Sequence, residues 1–244
     1  MNTAPAIDLR GRVAAVRERI ARAGGEADRV RLVAVTKGFD AGIVRAALDA
    51  GLDDIGESYV QELVAKAADL QAFLRGNGRP GDHSREESRG GEPHLRWHFV
   101  GRLQRNKVRK AAPYVSLWHS VDRLALGAEI ARFAPGAAVL VQVNASGEAS
   151  KAGCAPAMAP GLVDGLVDLG LDVRGLMTIA PAGPADAARP AFRTVRELAQ
   201  RLGLGELSMG MSEDLEVAVQ EGATMVRVGR DLFGPRPDSA GVRD

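Results

Sequence analysis

Short apolar runs and amphipathic segments alternate about eight times along this chain, at a spacing of roughly 20 to 30 residues, and that alternation constrains the fold most. The runs Arg31–Lys37, Asp53–Gly56, Trp97–Gly101, Tyr114–Val121, Ala137–Asn144, Val173–Thr178, Glu206–Ser208 and Thr224–Val228 read as strands. Helical periods lie between them, as in Phe192, Val195, Leu198 and Leu202, and Asp122 is the expected N-cap of a helix from Arg123 to Phe133. No hairpin turn joins neighbouring strands, so the connections are parallel crossovers. The pattern predicts an α/β fold, a single-domain (β/α)8 TIM barrel over residues 31–234. An open doubly wound sheet would share the alternation, but it leaves two buried edge strands and lacks a Gly-x-Gly-x-x-Gly after the first strand.

Two flanking segments and one insert complete the layout. Leu9, Val13, Val16 and Ile20 are spaced three and four apart, so residues 1–30 are expected to supply an amphipathic helix packed on the barrel. Residues 76–92 are glycine, proline and polar side chains, a composition expected of a mobile insert, and the polar tail 235–244 is expected to fray. His83 and His94 fall in or beside that insert and read as solvated loop histidines.

Composition excludes several classes of function. With 32 basic against 31 acidic residues the net charge is +1, which gives no surplus to attract nucleic acid or a membrane surface. The single Cys154 forms no internal disulfide, and no Cys/His spacing matches a zinc site. No stretch reaches the ~20 apolar residues that span a bilayer. A cytoplasmic protein is expected.

Chemistry enters at Lys37, which closes the first strand just before Gly38. A lysine at the C-terminal end of a buried strand serves as a point charge for an anion, or as the neutral amine of a Schiff base, or simply reaches water. Barrels commonly hold phosphate on the turns after strands seven and eight, here Ser208-Met-Gly-Met-Ser212 and Arg227-Val-Gly-Arg230. In those turns Met209, Gly210, Gly229 and Arg230 place backbone and charge near an anion, Ser212 adds a hydroxyl at a helix start, and Arg227 adds a charged donor. An amine facing a phosphate cup suits a phosphorylated aldehyde. Pyridoxal 5′-phosphate fits, and so does a sugar phosphate in a Schiff-base aldolase.

Seven ordered blocks narrow this choice. Val35-Thr-Lys37, Gly56-Glu-Ser-Tyr-Val-Gln-Glu62, His98-Phe-Val-Gly-Arg-Leu-Gln-Arg-Asn-Lys107, Ser150-Lys-Ala-Gly153, Arg174-Gly-Leu-Met177, Ser208-Met-Gly-Met-Ser-Glu-Asp214 and Arg227-Val-Gly-Arg-Asp-Leu-Phe-Gly234 together resemble the YggS/PROSC family of pyridoxal phosphate homeostasis proteins. The resemblance covers about Leu32 to Gly234. It implies a fold-type III barrel similar to the N-terminal domain of alanine racemases, with pyridoxal phosphate on Lys37, phosphate contacts near Ser212 and Gly229, and cofactor contact by Arg227. Ser58, which stands where the family usually has Asn, and His98, which opens its own block at the start of a strand and is expected at the barrel floor, complete the expected cofactor contacts. The family is regarded as lacking an established enzymatic activity, so a monomeric carrier that supplies apo pyridoxal phosphate enzymes is expected.

Two rivals accompany that expectation. A weak amino-acid racemase needs acid and base groups on both faces of a carbon, yet the chain ends ten residues after Gly234 and holds only Tyr59 and Tyr114 as tyrosines. An interaction protein would instead dock through the basic run Arg102, Arg105, Lys107, Arg109 and Lys110. Lys151, inside a block after strand five, is a second candidate for the aldehyde when Lys37 is absent.

Overall fold

The period-two runs close on themselves. In the computed structural model, which describes residues 8–26, 29–76, 95–148 and 151–236, the strands form one closed parallel barrel in chain order. They are β1 (Arg31–Val35), β2 (Asp54–Glu57), β3 (Arg96–Phe99), β4 (Val115–Val121), β5 (Ala138–Gln142), β6 (Asp172–Met177), β7 (Glu206–Ser208) and β8 (Met225–Val228). β8 returns to β1 with Arg31 beside Met225 and Val33 beside Arg227, which closes the wall and removes both edges. That closure excludes the doubly wound alternative.

Helices run outside the wall: α1 (Leu9–Arg22), α2 (Gly42–Asp49), α3 (Val60–Gly76), α4 (Val108–Ala111), α5 (Leu124–Phe133), α6 (Ala159–Asp168), α7 (Arg189–Arg201), α8 (Leu215–Gln220) and α9 (Arg230–Phe233). Strand alternation sorts the side chains between two layers. Leu32, Ala34, Ile55, Trp97, Phe99, Trp118, Val226 and Val228 join the apolar layer between wall and helices. Leu117, Ala138, Leu140, Met177 and Met225 form a separate inner cluster. Beside it His98, His119, Ser208 and Arg227 bond to one another across the barrel, so the interior is part apolar and part polar.

The N-terminal helix packs on α8 and α9. Asp8 caps it by accepting the Gly11 N–H at 2.9 Å, and Leu9, Val16 and Ile20 are buried. Its Arg19 guanidinium holds Glu216 at 2.6 and 2.8 Å, Asp231, and the Ser212 carbonyl at 2.9 Å. One arginine thus braces both turns of the expected phosphate cup from behind.

Three local expectations need correction. Asp122 is not the N-cap of α5: Arg123 takes that position in extended backbone without a side-chain cap bond, and Asp122 pairs with the Arg123 guanidinium instead. The basic stretch Leu103–Lys110, which its sequence reads as one helical segment, is instead a 3-10 turn, Arg105–Lys107, leading into the short α4. The helix expected from Ser212 begins only at Leu215, because the Asp214 carboxylate accepts the Met211 N–H at 2.6 Å and folds the segment between them into a turn. Residues 77–92 of the expected insert, with His83 and His94, and residues 237–244 of the tail lie outside the described residues. Among the described residues no helix is long and apolar enough to cross a membrane.

Candidate functional site

β1 aims its last inward position at the mouth. Arg31, Val33 and Val35 share one face of the strand, and Lys37 follows at the same parity, so its side chain enters a cavity of about 610 Å3 at the C-terminal end of the barrel. Burial lowers the Lys37 amine below the ordinary lysine value of 10.5, and the charges of Arg236 and Arg227 act in the same sense, against smaller opposing pulls from Glu57 and Glu62. An amine so shifted is more often neutral, hence nucleophilic, near neutral pH.

Both peptide groups flanking Lys37 are held from outside the wall. Lys66 of α3, 3 % exposed, donates to the Thr36 carbonyl at 2.7 Å, and Glu62 accepts the Gly38 N–H at 2.7 Å. Glu57 closes this network, its Oε1 accepting from Thr36 Oγ1 and Lys66 Nζ at 2.6 Å each while its Oε2 has no hydrogen-bond partner among the described residues. Burial raises the Glu57 carboxyl, and Lys66 and Thr36 pull it back down. A lysine with acidic residues four and nine positions before it reads in the sequence as an ordinary helix face, and only the fold shows that it grips the reactive segment.

The adjoining rim, next to β1 where the barrel closes, is built by the turns after β7 and β8. Ser212, Arg227, Gly229 and Arg230 line the cavity with Lys37 and Ser58, so six of the predicted contact residues meet there. The Asp231 N–H reaches Ser212 Oγ at 3.4 Å and joins the two turns. Gly210 has φ +92, and a Cβ there would sit 2.5 Å from the Ala218 methyl; its carbonyl accepts the Arg227 N–H at 2.9 Å. Met209 is fully buried in the outer apolar layer. Met209 and Gly210 therefore stand behind the rim, outside the cavity lining.

His98 sits elsewhere. It is 1 % exposed inside the barrel, with Asp54 2.8 Å from one ring nitrogen and His119 2.8 Å from the other, and it is not among the residues lining the mouth. Arg227, pushed down to about 10 by burial, donates to Ser208 Oγ at 2.8 Å and to the Thr178 carbonyl at 2.9 Å, and so reaches the cavity from below.

A second chamber of about 840 Å3 adjoins the first and shares Lys37, Ser58 and Lys151 with it. Tyr59, Arg102, Lys107 and Gln142 line it, so part of the basic run faces this chamber, whereas Arg105 pairs with Glu129 at 3.7 Å. Lys151 Nζ donates to the Ala180 carbonyl at 2.7 Å and to Glu148 at 2.9 Å. Tyr114 lies just before β4, at the other end of the barrel. Arg236, a further charged residue that the sequence patterns missed, lines the cavity beside Lys37. Its only signal was its place two residues past the last family-like block.

A parallel eight-stranded barrel with a partly desolvated lysine after β1 and glycine-bearing turns after β7 and β8 defines a class: barrels that present an amine to an anionic ligand at their mouth. Within that class the chain belongs to the family described as alanine racemase, N-terminal domain, whose model matches residues 12–237. It is 42% identical over 231 residues to the pyridoxal phosphate homeostasis protein of Pseudomonas aeruginosa, covering 91% of this chain and 92% of that one. Among solved structures it is similar to PipY of Synechococcus elongatus PCC7942. The form without PLP is 36% identical, with a TM-score of 0.76 over 93% of this chain and 100% of that one. The form with PLP bound is 35% identical, with a TM-score of 0.70 over 90% of this chain and 100% of that one.

Proposed function

We propose that this protein binds pyridoxal 5′-phosphate reversibly at Lys37 and holds or hands on the cofactor inside the cell, a homeostasis role and not catalysis. The observation that carries this is the Lys37 amine, lowered by burial and two arginines, facing a glycine-bearing rim that bears Ser212, Gly229 and Arg230. The fit is supported by the cavity volume of about 610 Å3, which exceeds that of the cofactor, and by Gly229, where a Cβ would lie 3.1 Å from the Val35 carbonyl oxygen and fill the cradle. The names of the relatives agree: one is a pyridoxal phosphate homeostasis protein and PipY has been solved with PLP bound.

The bound cofactor supplies an aldehyde carbon for a Schiff base and a phosphate dianion. Lys37 would offer its Nζ, whose protonation burial disfavours, to that carbon. Ser212 with the backbone at Gly229 and the Arg230 charge would hold the phosphate, and Arg227 and Ser58 would be the further contacts to the cofactor. Met209, Gly210 and His98 support these contacts from behind.

A racemase needs proton-transfer groups on both faces of one carbon, and among the described residues neither tyrosine lines the cavity that Lys37 enters. Tyr59 is 48% exposed in the second chamber, and Tyr114 lies at the far end of the barrel. We therefore assign the protein a carrier role, as a cytoplasmic monomer whose recipients are apo enzymes that need the cofactor. The test mixes loaded protein with an apo enzyme and, separately, with amino acids. Transfer to the apo enzyme without amino-acid turnover above that of free pyridoxal phosphate is the expected result; turnover above it would replace the carrier with an enzyme.

A further inference from the structure

Below the cavity, five polar side chains from five strands form one continuous line through the barrel. Asp54 Oδ1 lies 2.8 Å from His98 Nε2, His98 Nδ1 2.8 Å from His119 Nε2, His119 Nδ1 2.8 Å from Ser208 Oγ, and Ser208 Oγ 2.8 Å from Arg227 NH1. None of the five is more than 8 % exposed, and both histidines are at 1 % or less. Such a line is costly to bury unless every link is satisfied.

The polarity of its two ends is fixed by chemistry. A guanidinium only donates, so Arg227 gives a proton to Ser208 Oγ and leaves the Ser208 hydroxyl free to donate onward. At the other end Asp54 accepts. Burial alone would raise its carboxyl, but hydrogen bonds from Arg96, at 2.7 Å twice, and from His98 outweigh that and hold it well below the usual range. With an acceptor at one end and a donor at the other, one arrangement satisfies each link with one proton. His98 donates from Nε2 to Asp54 and accepts at Nδ1; His119 donates from Nε2 to His98 and accepts at Nδ1 from Ser208. A second proton on His98 would reverse the next link, make His119 donate to Ser208, and leave the Ser208 hydroxyl proton to find another acceptor. Burial, the largest influence on each ring, favours neutrality in both, with Arg31 acting in the same sense on both, Arg96 on His98, and His98 and Arg227 on His119, against an opposing pull of Asp54 on His98.

We propose that His119 and His98 are positioning residues for the cofactor site: two neutral imidazoles, each protonated on Nε2, that link the Asp54 carboxylate through Ser208 to Arg227 and fix the direction of its guanidinium beneath the cavity. The proposal rests on the assignment of the mouth to pyridoxal phosphate. Arg227 commits NH1 to Ser208 and NH2 to the Thr178 carbonyl, so its remaining donors have one orientation toward the ligand. Losing the chain frees NH1 and lets the guanidinium rotate.

Two measurements test it. A long-range proton–nitrogen correlation spectrum of the full chain with labelled histidine, recorded at neutral pH without added cofactor, should show the rings of His98 and His119 as neutral Nε2–H tautomers. An imidazolium or an Nδ1–H tautomer at either ring overturns the proposal. The second measurement is titration with pyridoxal phosphate, followed by the visible Schiff-base band. His119→Phe fills the ring's space but removes the acceptor for Ser208, and should weaken binding about tenfold, the scale of one lost hydrogen bond to a charged network. His119→Asn restores an acceptor near Nδ1 and should stay within about threefold of the parent. Equal weakening in both, or none in His119→Phe, overturns it. Absence of binding by the parent would refute the cofactor assignment alone, since the tautomers are read without cofactor.

Discussion

Lys37 owes its reactivity to neighbours that no local pattern announces. Its strand and the break at Gly38 were legible from the sequence, because a buried aliphatic run that ends in lysine is unusual. Arg236 and the Lys66 network were not, since their contacts to Lys37 and its neighbours Thr36 and Gly38 span 21 to 199 positions. Two predictions belong to this scale. The lowered amine should make the rate of Schiff-base formation with pyridoxal phosphate rise with pH through a midpoint below 10.5. Arg236→Ala removes a cation that disfavours the protonated amine, so it should move that midpoint upward; stopped-flow absorbance against pH reads both, and no upward movement would show that Arg236 does not act on Lys37. Lys66→Met strands the fully buried Glu57 carboxylate and should cost about 3–5 kcal/mol in urea denaturation, most of it recovered by Glu57→Leu in the same chain.

Elements were read more surely than their ends. Every strand and most helices fall within two or three residues of their apolar periods, because alternation and helical spacing depend on many side chains at once. Ends depend on single bonds. Asp122 lost the cap to its arginine neighbour, and Asp214 delayed α8 by bonding the Met211 amide, competitions that composition does not reveal. Asp54 shows what one strand-end carboxylate adds: it ties β2 to β3 through Arg96 and His98. Its carboxyl is held below the ordinary 3.8, so its contribution is fully present above that value and is lost as pH falls below it. The stability gap between the parent and Asp54→Asn, from denaturant midpoints, should be constant above about pH 5 and narrow below about pH 4. A gap that is unchanged at acid pH would contradict the ion pairing assigned to Asp54.

At the scale of the whole molecule, eight parallel strands were legible because strand runs alternate with helical ones and no hairpin intervenes, and closure was the one arrangement without buried edges. Half of the site was legible for the same reason: a barrel closed in chain order must set β8 beside β1, so the end of β1 lies next to the turns after β7 and β8, which placed Lys37, Ser212, Arg227, Gly229 and Arg230 together. His98 was legible as a residue of the barrel floor, but its links to His119 and Ser208 were hidden, since they join strands far apart in the chain. The central claim is that this frame holds pyridoxal phosphate on one amine. Its most direct test is borohydride reduction of the protein with the cofactor, followed by peptide mapping. The account predicts a stable label on Lys37 and its loss from that peptide in Lys37→Ala; a parent protein labelled elsewhere, with Lys37 unmodified, would contradict it.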